Sequence, residues 1–198
     1  MSRKTIRILI VDDHAVVREG YRALLAKHEG LTVVGEACDA ASAYQCYKNT
    51  RPDVVIMDIS MPGRSGIDAI EHIREFDVHA RVLVFTMHCG AAYALQAFRA
   101  GAKGYVTKSS PPDLLVRAVR DIAEGRLAIC PEISEALAFD RVQEEKTGTA
   151  RAFTARVRNF PHDLRRKINR RDRFGTQRQP QDRGQLSLRD QIKARRQF

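Results

Sequence analysis

The sequence predicts an α/β protein built on a doubly wound, five-stranded parallel sheet. Two observations predict it. Short apolar runs alternate with helical patterns five times between Ile6 and Gly125. The first run, and most that follow, are continuously apolar rather than alternating, which suits strands covered on both faces. Repeated β–α alternation is the pattern of a parallel sheet with right-handed crossovers.

The elements follow in order. "IRILIV" is a β-branched strand that ends on Asp12 and Asp13. In residues 14–30, Val16, Val17, Tyr21, Leu24 and Leu25 recur near helical spacing, and Gly30 supplies the stop. "LTVVGEA" is the second strand, and the helix in "DAASAYQCYKNT" starts with Asp39 as N-cap. Pro52 turns the chain into "DVVIMD", and "SGIDAIEHIREF" is the third helix. "ARVLVFTM", "AAYALQAFRAG" and "GYVTK" give strand, helix and a short fifth strand. "PPDLLVRAVRDIAEG" is the fifth helix, with Pro112 in its first turn.

In an open sheet of this class the working site lies outside the carboxyl ends of the strands. Those ends carry Asp12, Asp13, Asp58, Thr86 and Lys108. Taken singly, an aspartate after a strand is most often a cap or turn former. A lone Thr86 is a polar strand end, and a lone Lys108 a solvated charge. Together they form a chemical set. Three convergent carboxylates repel one another unless a cation sits among them, and hard oxygen ligands suit Mg²⁺. A lysine ammonium suits a phosphoryl oxygen, and a threonine hydroxyl offers a further donor. An aspartate can itself accept a phosphoryl group as an acyl phosphate, with catalysis by positioning and charge neutralisation.

"ILIVDDH", "DVVIMDISMPGRSG", "VLVFTMH" and "AGAKGYVTKSS" resemble the receiver domain of bacterial two-component response regulators, most closely those of NarL/FixJ type. The resemblance covers residues 3–125 and implies a CheY-like (flavodoxin-like) receiver fold. It implies that Asp58 is the phosphoacceptor. It implies that Asp12, Asp13 and Asp58 hold Mg²⁺ with the main-chain carbonyl of Ser60. Thr86 and Lys108 would contact the phosphoryl group, and Tyr105 would be the aromatic switch that moves with Thr86. A sensor histidine kinase is the implied partner. The surface of the fourth and fifth helices and the fifth strand is the expected homodimer face. The chain is expected to be a phosphoacceptor rather than an enzyme, with at most self-phosphorylation from small donors and slow autodephosphorylation. A Mg²⁺-dependent phosphohydrolase using Asp58 would need a capping insertion and an acid two positions on, where Ser60 stands.

Cys38, Cys46, Cys89 and Cys130 form no CxxC pair and no metal-type spacing with histidine, so reduced thiols are expected. The N-terminal apolar run is too short for a signal peptide or membrane span, so a cytoplasmic protein without a membrane partner is expected.

Charge divides the chain. Residues 1–150 carry 19 Lys+Arg and 20 Asp+Glu, whereas residues 151–198 carry 15 and 4. Residues 126–152 read as a linker. "FTAR" at 153–156 resembles the opening of a LuxR-type DNA-binding domain, and there the resemblance stops. Ten Val, Ile, Leu or Phe in the last 48 residues are too few and too irregular for a helical core. A frameshift accounts for this. A permitted choice of codons for "PQDRGQLS" (residues 180–187), completed by the first base of Leu188, spells "PKTVANYH" when read one base later. The same shift from Arg156 permits "EFEIFRMISEGKSIAEIASVLNVS", and past Ser187 "IKSRLGVS". Together these resemble a LuxR-type helix-turn-helix. Residues 153–198 are therefore expected to be a disordered, out-of-frame remnant. It would bind nucleic acid, if at all, through phosphates and non-specifically. No DNA-contacting residue is assigned.

Overall fold

The computed structural model describes residues 5–63 and 65–146. Twelve elements alternate: β1 (Ile6–Val11), α1 (Ala15–Ala26), β2 (Leu31–Ala37), α2 (Ala40–Thr50), β3 (Val54–Met57), α3 (Gly66–Phe76), β4 (Val82–Thr86), α4 (Ala91–Ala100), β5 (Gly104–Thr107), α5 (Pro112–Ala123), β6 (Ala128–Ile129) and α6 (Pro131–Lys146). The sheet order is β2-β1-β3-β4-β5-β6, with every pair parallel. The chain leaves β1 in one direction to form β2 and returns past β1 to form β3. The topological switch point therefore lies between β1 and β3, where a crevice opens at the strand ends.

The continuous apolar runs are buried as expected. All four residues of β3 and β5 and all five of β4 are buried, and the last four of β1 are at most 1 % exposed. Helices cover the sheet with amphipathic faces; α5 buries Leu115, Val116, Ala118, Val119 and Ile122. Local signals set the helix starts. The Asp39 side chain accepts from Ser42 N at 2.7 Å, and Ser42 Oγ accepts from Asp39 N at 3.2 Å, closing a capping box. Ser65 and Asp68 close the same motif at α3.

The sheet has six strands, not five. The sixth is two residues long and lies in the segment read from sequence as a linker. Its partner strand begins with Gly104, where a Cβ would lie 2.6 Å from the Ala128 carbonyl oxygen. Only a glycine lets the sixth strand approach this closely. The segment continues into α6, which packs against α4. Leu127, Ala128, Cys130, Ile133 and Leu137 are all buried, the last three completely. These five side chains join the core of the sheet, and α6 packs against α4, one of the helices of the expected dimer face. Leu137→Ala is expected to cost about 2 kcal/mol by leaving a cavity between α6 and the core. Urea unfolding of the full chain would measure it as a lower midpoint at unchanged slope.

The four cysteines are free. Burial pushes the Cys130 thiol up, which leaves it unreactive. Among the described residues, no helix is long and apolar enough to cross a membrane. The remnant read at 153–198, with the last linker residues, lies outside the described residues.

Candidate functional site

The parallel sheet delivers the strand ends to one edge, and each candidate side chain arrives there from its own strand. Asp12 follows β1 directly, with its N–H donating to the Ala37 carbonyl at 3.1 Å. Asp58 follows β3, with its N–H donating to the Val11 carbonyl at 2.9 Å. Thr86 closes β4 and is fully buried. Lys108 follows β5, anchored by its N–H to the Thr86 carbonyl at 2.8 Å. Behind it, Thr107 Oγ1 pairs with Ser110 Oγ at 2.9 Å and stiffens the turn that carries the lysine.

The centre of the site is an ion-paired triad. Lys108 Nζ donates to Asp12 Oδ2 at 2.5 Å and to Asp58 Oδ2 at 2.6 Å. Both aspartates are 3 % exposed. Such buried charges persist only when paired and hydrogen-bonded. Asp58 Oδ1 accepts from Ser60 N at 3.0 Å, and Asp12 Oδ1 from His14 N at 2.9 Å. Arg18 Nη1 donates to the Asp12 carbonyl at 2.6 Å.

Burial alone would push the Asp58 carboxyl up. The Lys108 hydrogen bond, the Ser60 N–H, the Lys108 charge and the Thr86 hydroxyl outweigh it and hold Asp58 below its ordinary value. Asp58 is therefore ionised at neutral pH. Burial likewise opposes the Lys108 charge, but the two carboxylates prevail and hold its pKa above the ordinary value.

Lys108 is paired with two carboxylates, and Asp13 follows Asp12 beside them. Asp13 Oδ1 is buried and accepts no hydrogen bond. His14 Nδ1 lies 3.0 Å away, and carboxylate and imidazole atoms of Asp12, Asp13 and His14 lie within 4.8 Å of one another. A buried carboxylate oxygen without a donor, beside further acidic oxygens, fits a hard divalent cation.

Tyr105 lies on β5, in register with Val84 of β4. Its side chain is fully buried, its hydroxyl donates to the His88 carbonyl at 3.0 Å, and its ring lies 6.4 Å from that of Phe98. Burial is the main cause that raises its phenol well above the ordinary value. A half-buried ring would have been the ordinary outcome for a strand aromatic; this one is sealed.

The structure thus brings together Asp12, Asp58, Lys108, Thr86 and Ser60, with Asp13 at the rim; Tyr105 lies on the neighbouring strand, paired with Val84. Sequence reasoning gave no role to His14, to the Ser60 hydroxyl or to Gly66. His14 stood in the quoted "DDH" and could have been noticed as a third potential ligand. Gly66 opens α3 directly on the Asp58 loop: a Cβ there would lie 2.1 Å from the Asp58 carbonyl oxygen and 2.8 Å from Ile59 Cα. Gly66→Ala is expected to cost about 1–3 kcal/mol through this overlap with backbone. A thermal melt would show it as a lower Tm.

The response regulator receiver domain family matches residues 8–120 of this chain. The chain belongs to that family. The oxygen regulatory protein NreC of Staphylococcus epidermidis is 38 % identical over 143 residues, 72 % of this chain and 66 % of that protein. The response regulator UvrY of Escherichia coli K12 is 34 % identical over 142 residues, 72 % of this chain and 65 % of its own length. The receiver's match therefore spans just under two thirds of these relatives. Among solved structures, a LuxR-family two-component response regulator from Aurantimonas sp. SI85-9A1 is 54 % identical with a TM-score of 0.69. It covers 70 % of this chain and 99 % of that one. The receiver domain of the putative response regulator NarL from Mycobacterium tuberculosis is 36 % identical with a TM-score of 0.60. It covers 62 % of this chain and 99 % of that one. The receiver is thus of the NarL/FixJ type, as its motifs indicated.

Proposed function

We propose that this chain is a two-component response regulator that accepts a phosphoryl group on Asp58 from a sensor histidine kinase. The observation that carries the reading is the Lys108 ammonium held between the buried carboxylates of Asp12 and Asp58 at the switch point of the sheet. An Asp58 carboxylate oxygen bonds to phosphorus while the donor's P–N bond breaks, its electron pair leaving with the histidine. Lys108 then faces the transferred phosphoryl oxygens, and the Thr86 hydroxyl donates to one of them. Asp12, Asp13, Asp58 and the Ser60 carbonyl are the residues that would hold Mg²⁺. When bound, the ion neutralises charge that builds up on the transferring group.

The acquired phosphoryl group adds nearly two negative charges at Asp58. Thr86 is drawn toward it, and the buried Tyr105 ring readjusts. This is a local charge event that biases a two-state surface. Homodimerisation through the receiver and transcriptional output complete the reading, in a cytoplasmic protein. Sequence-specific DNA binding is not ascribed to residues 151–198, read as out of frame; a coding sequence without a helix-turn-helix in its +1 frame past Ala150 would refute that reading.

The test uses the full chain with radiolabelled acetyl phosphate and Mg²⁺, in which a P–O bond of the donor breaks instead. A hydroxylamine-sensitive label that maps to the Asp58 peptide is expected. Label at another residue, or none, would overturn the assignment.

A further inference from the structure

We propose that Arg18 is a positioning residue for the reaction site: its guanidinium fixes the peptide between Asp12 and Asp13 and so directs the Asp13 carboxylate. The proposal rests on the reading of this site as a Mg²⁺-dependent phosphoacceptor. Arg18 stands in the first turn of α1, where its own N–H donates to the His14 carbonyl at 3.1 Å. Its side chain reaches back over the helix start, and Nη1 donates to the Asp12 carbonyl at 2.6 Å. A guanidinium only donates and a carbonyl only accepts, so the direction of this bond is fixed. The same fork is held from the other side. Nε donates to Glu36 Oε2 of β2 at 3.3 Å, and Arg22 Nε lies 3.5 Å from Glu36 Oε1. The Arg18 side chain is only 17 % exposed, so the pair is weakly screened by solvent.

The position of that carbonyl gives the bond its consequence. The pairing of β1 runs out just before it, with Asp58 N–H on the Val11 carbonyl and Asp12 N–H on the Ala37 carbonyl. The helix begins just after it, and His14, its N-cap, makes no capping bond with its side chain. Arg18 spans this gap. A peptide unit is planar, so holding its oxygen orients the whole plane that enters Asp13. The plane that leaves Asp13 is held by His14 N–H on Asp12 Oδ1 at 2.9 Å. With both planes set, the main chain fixes the direction in which the Asp13 side chain departs. That matters because Asp13 Oδ1 is buried and accepts no hydrogen bond that could place it.

Position and charge predict opposite signs. Arg18 is a cation beside an acidic site, so charge alone would make its removal tighten binding of Mg²⁺. Loss of a group that orients a metal ligand weakens binding instead. The experiment titrates Mg²⁺ into the unphosphorylated full chain and follows the backbone amide shifts by NMR, so no phosphoryl transfer enters the readout. Arg18→Met keeps the apolar stem and loses the donors. It is expected to weaken Mg²⁺ binding about tenfold. A merely structural residue would lower the unfolding midpoint and leave the affinity of the folded chain unchanged. If Arg18→Met gives no folded spectrum, Arg18→Lys decides: it keeps the charge but not the fork, so a charge role predicts wild-type affinity and the positioning role a weaker one. Unchanged or tighter binding in Arg18→Met, or wild-type affinity in Arg18→Lys where it decides, would overturn the positioning role and leave Asp58 standing as phosphoacceptor. A wild-type chain whose amides near Asp13 do not respond to Mg²⁺ would instead remove the metal-dependent reading, and this proposal with it.

Discussion

Asp58→Asn is expected to reduce phosphoryl labelling to background without unfolding the protein. An amide has no oxygen nucleophilic enough to form an acyl phosphate, so the loss should be complete rather than graded. The shape is nearly unchanged, and Lys108 keeps its 2.5 Å bond to Asp12. The buried ammonium is therefore not stranded. A second signature separates removal of this charge from general damage. The Asp58 pKa lies below 3.8, so its contribution to stability is present above the unfolded value and is lost as pH falls through the folded one. Asp58→Asn lacks that component, and its stability should fall less steeply on acidification below pH 3.8. Urea midpoints measured between neutral and acid pH would show the shallower slope beside the lost label.

Why some of this could be read in advance, and some not, follows from the range of the interactions. Strand runs such as "IRILIV" and the Asp39 cap are local signals, and the structure carries both. The convergence of Asp12, Asp58, Thr86 and Lys108 was legible because a parallel sheet sends every strand's carboxyl end to one edge. Residue type at a strand end is then nearly a coordinate. The sixth strand was not legible. Ala128 and Ile129 are too short a run to register, and they pair only because Gly104 leaves room. Among the residues of α6 whose burial is described, Ile133 and Leu137 are completely buried while Phe139 is 66 % exposed, which is no continuous apolar stripe. Gly66 was missed for a related reason. Its role is to leave room where a Cβ would lie 2.1 Å from the Asp58 carbonyl oxygen, and no spacing in the chain announces that.

Lys108→Met is expected to destabilise the metal-free protein by about 3 kcal/mol at neutral pH and to reverse the sign of its pH dependence. Removing one partner of a buried ion pair leaves the other charge uncompensated, and that cost exceeds the net worth of the intact pair. Here one side chain neutralises two carboxylates, each 3 % exposed, so its removal leaves both facing each other. In the wild type the Lys108 pKa is above 10.5, so its contribution is present through the neutral range and is lost only as pH rises past that value. In the variant, burial of Asp58 is no longer outweighed by the ammonium. Its carboxyl then binds a proton more readily folded than unfolded. Stability should fall as pH rises from the carboxylate range to neutrality, where the wild type holds its stability. Unfolding in urea with a chelator present, at several pH values, would measure both effects. Added Mg²⁺ should recover part of the deficit by supplying the missing positive charge, because ligand that binds only the folded state stabilises it. Phosphoryl labelling should stay low even then, because the metal stabilises the carboxylates but does not replace the Lys108 donor to the transferred group.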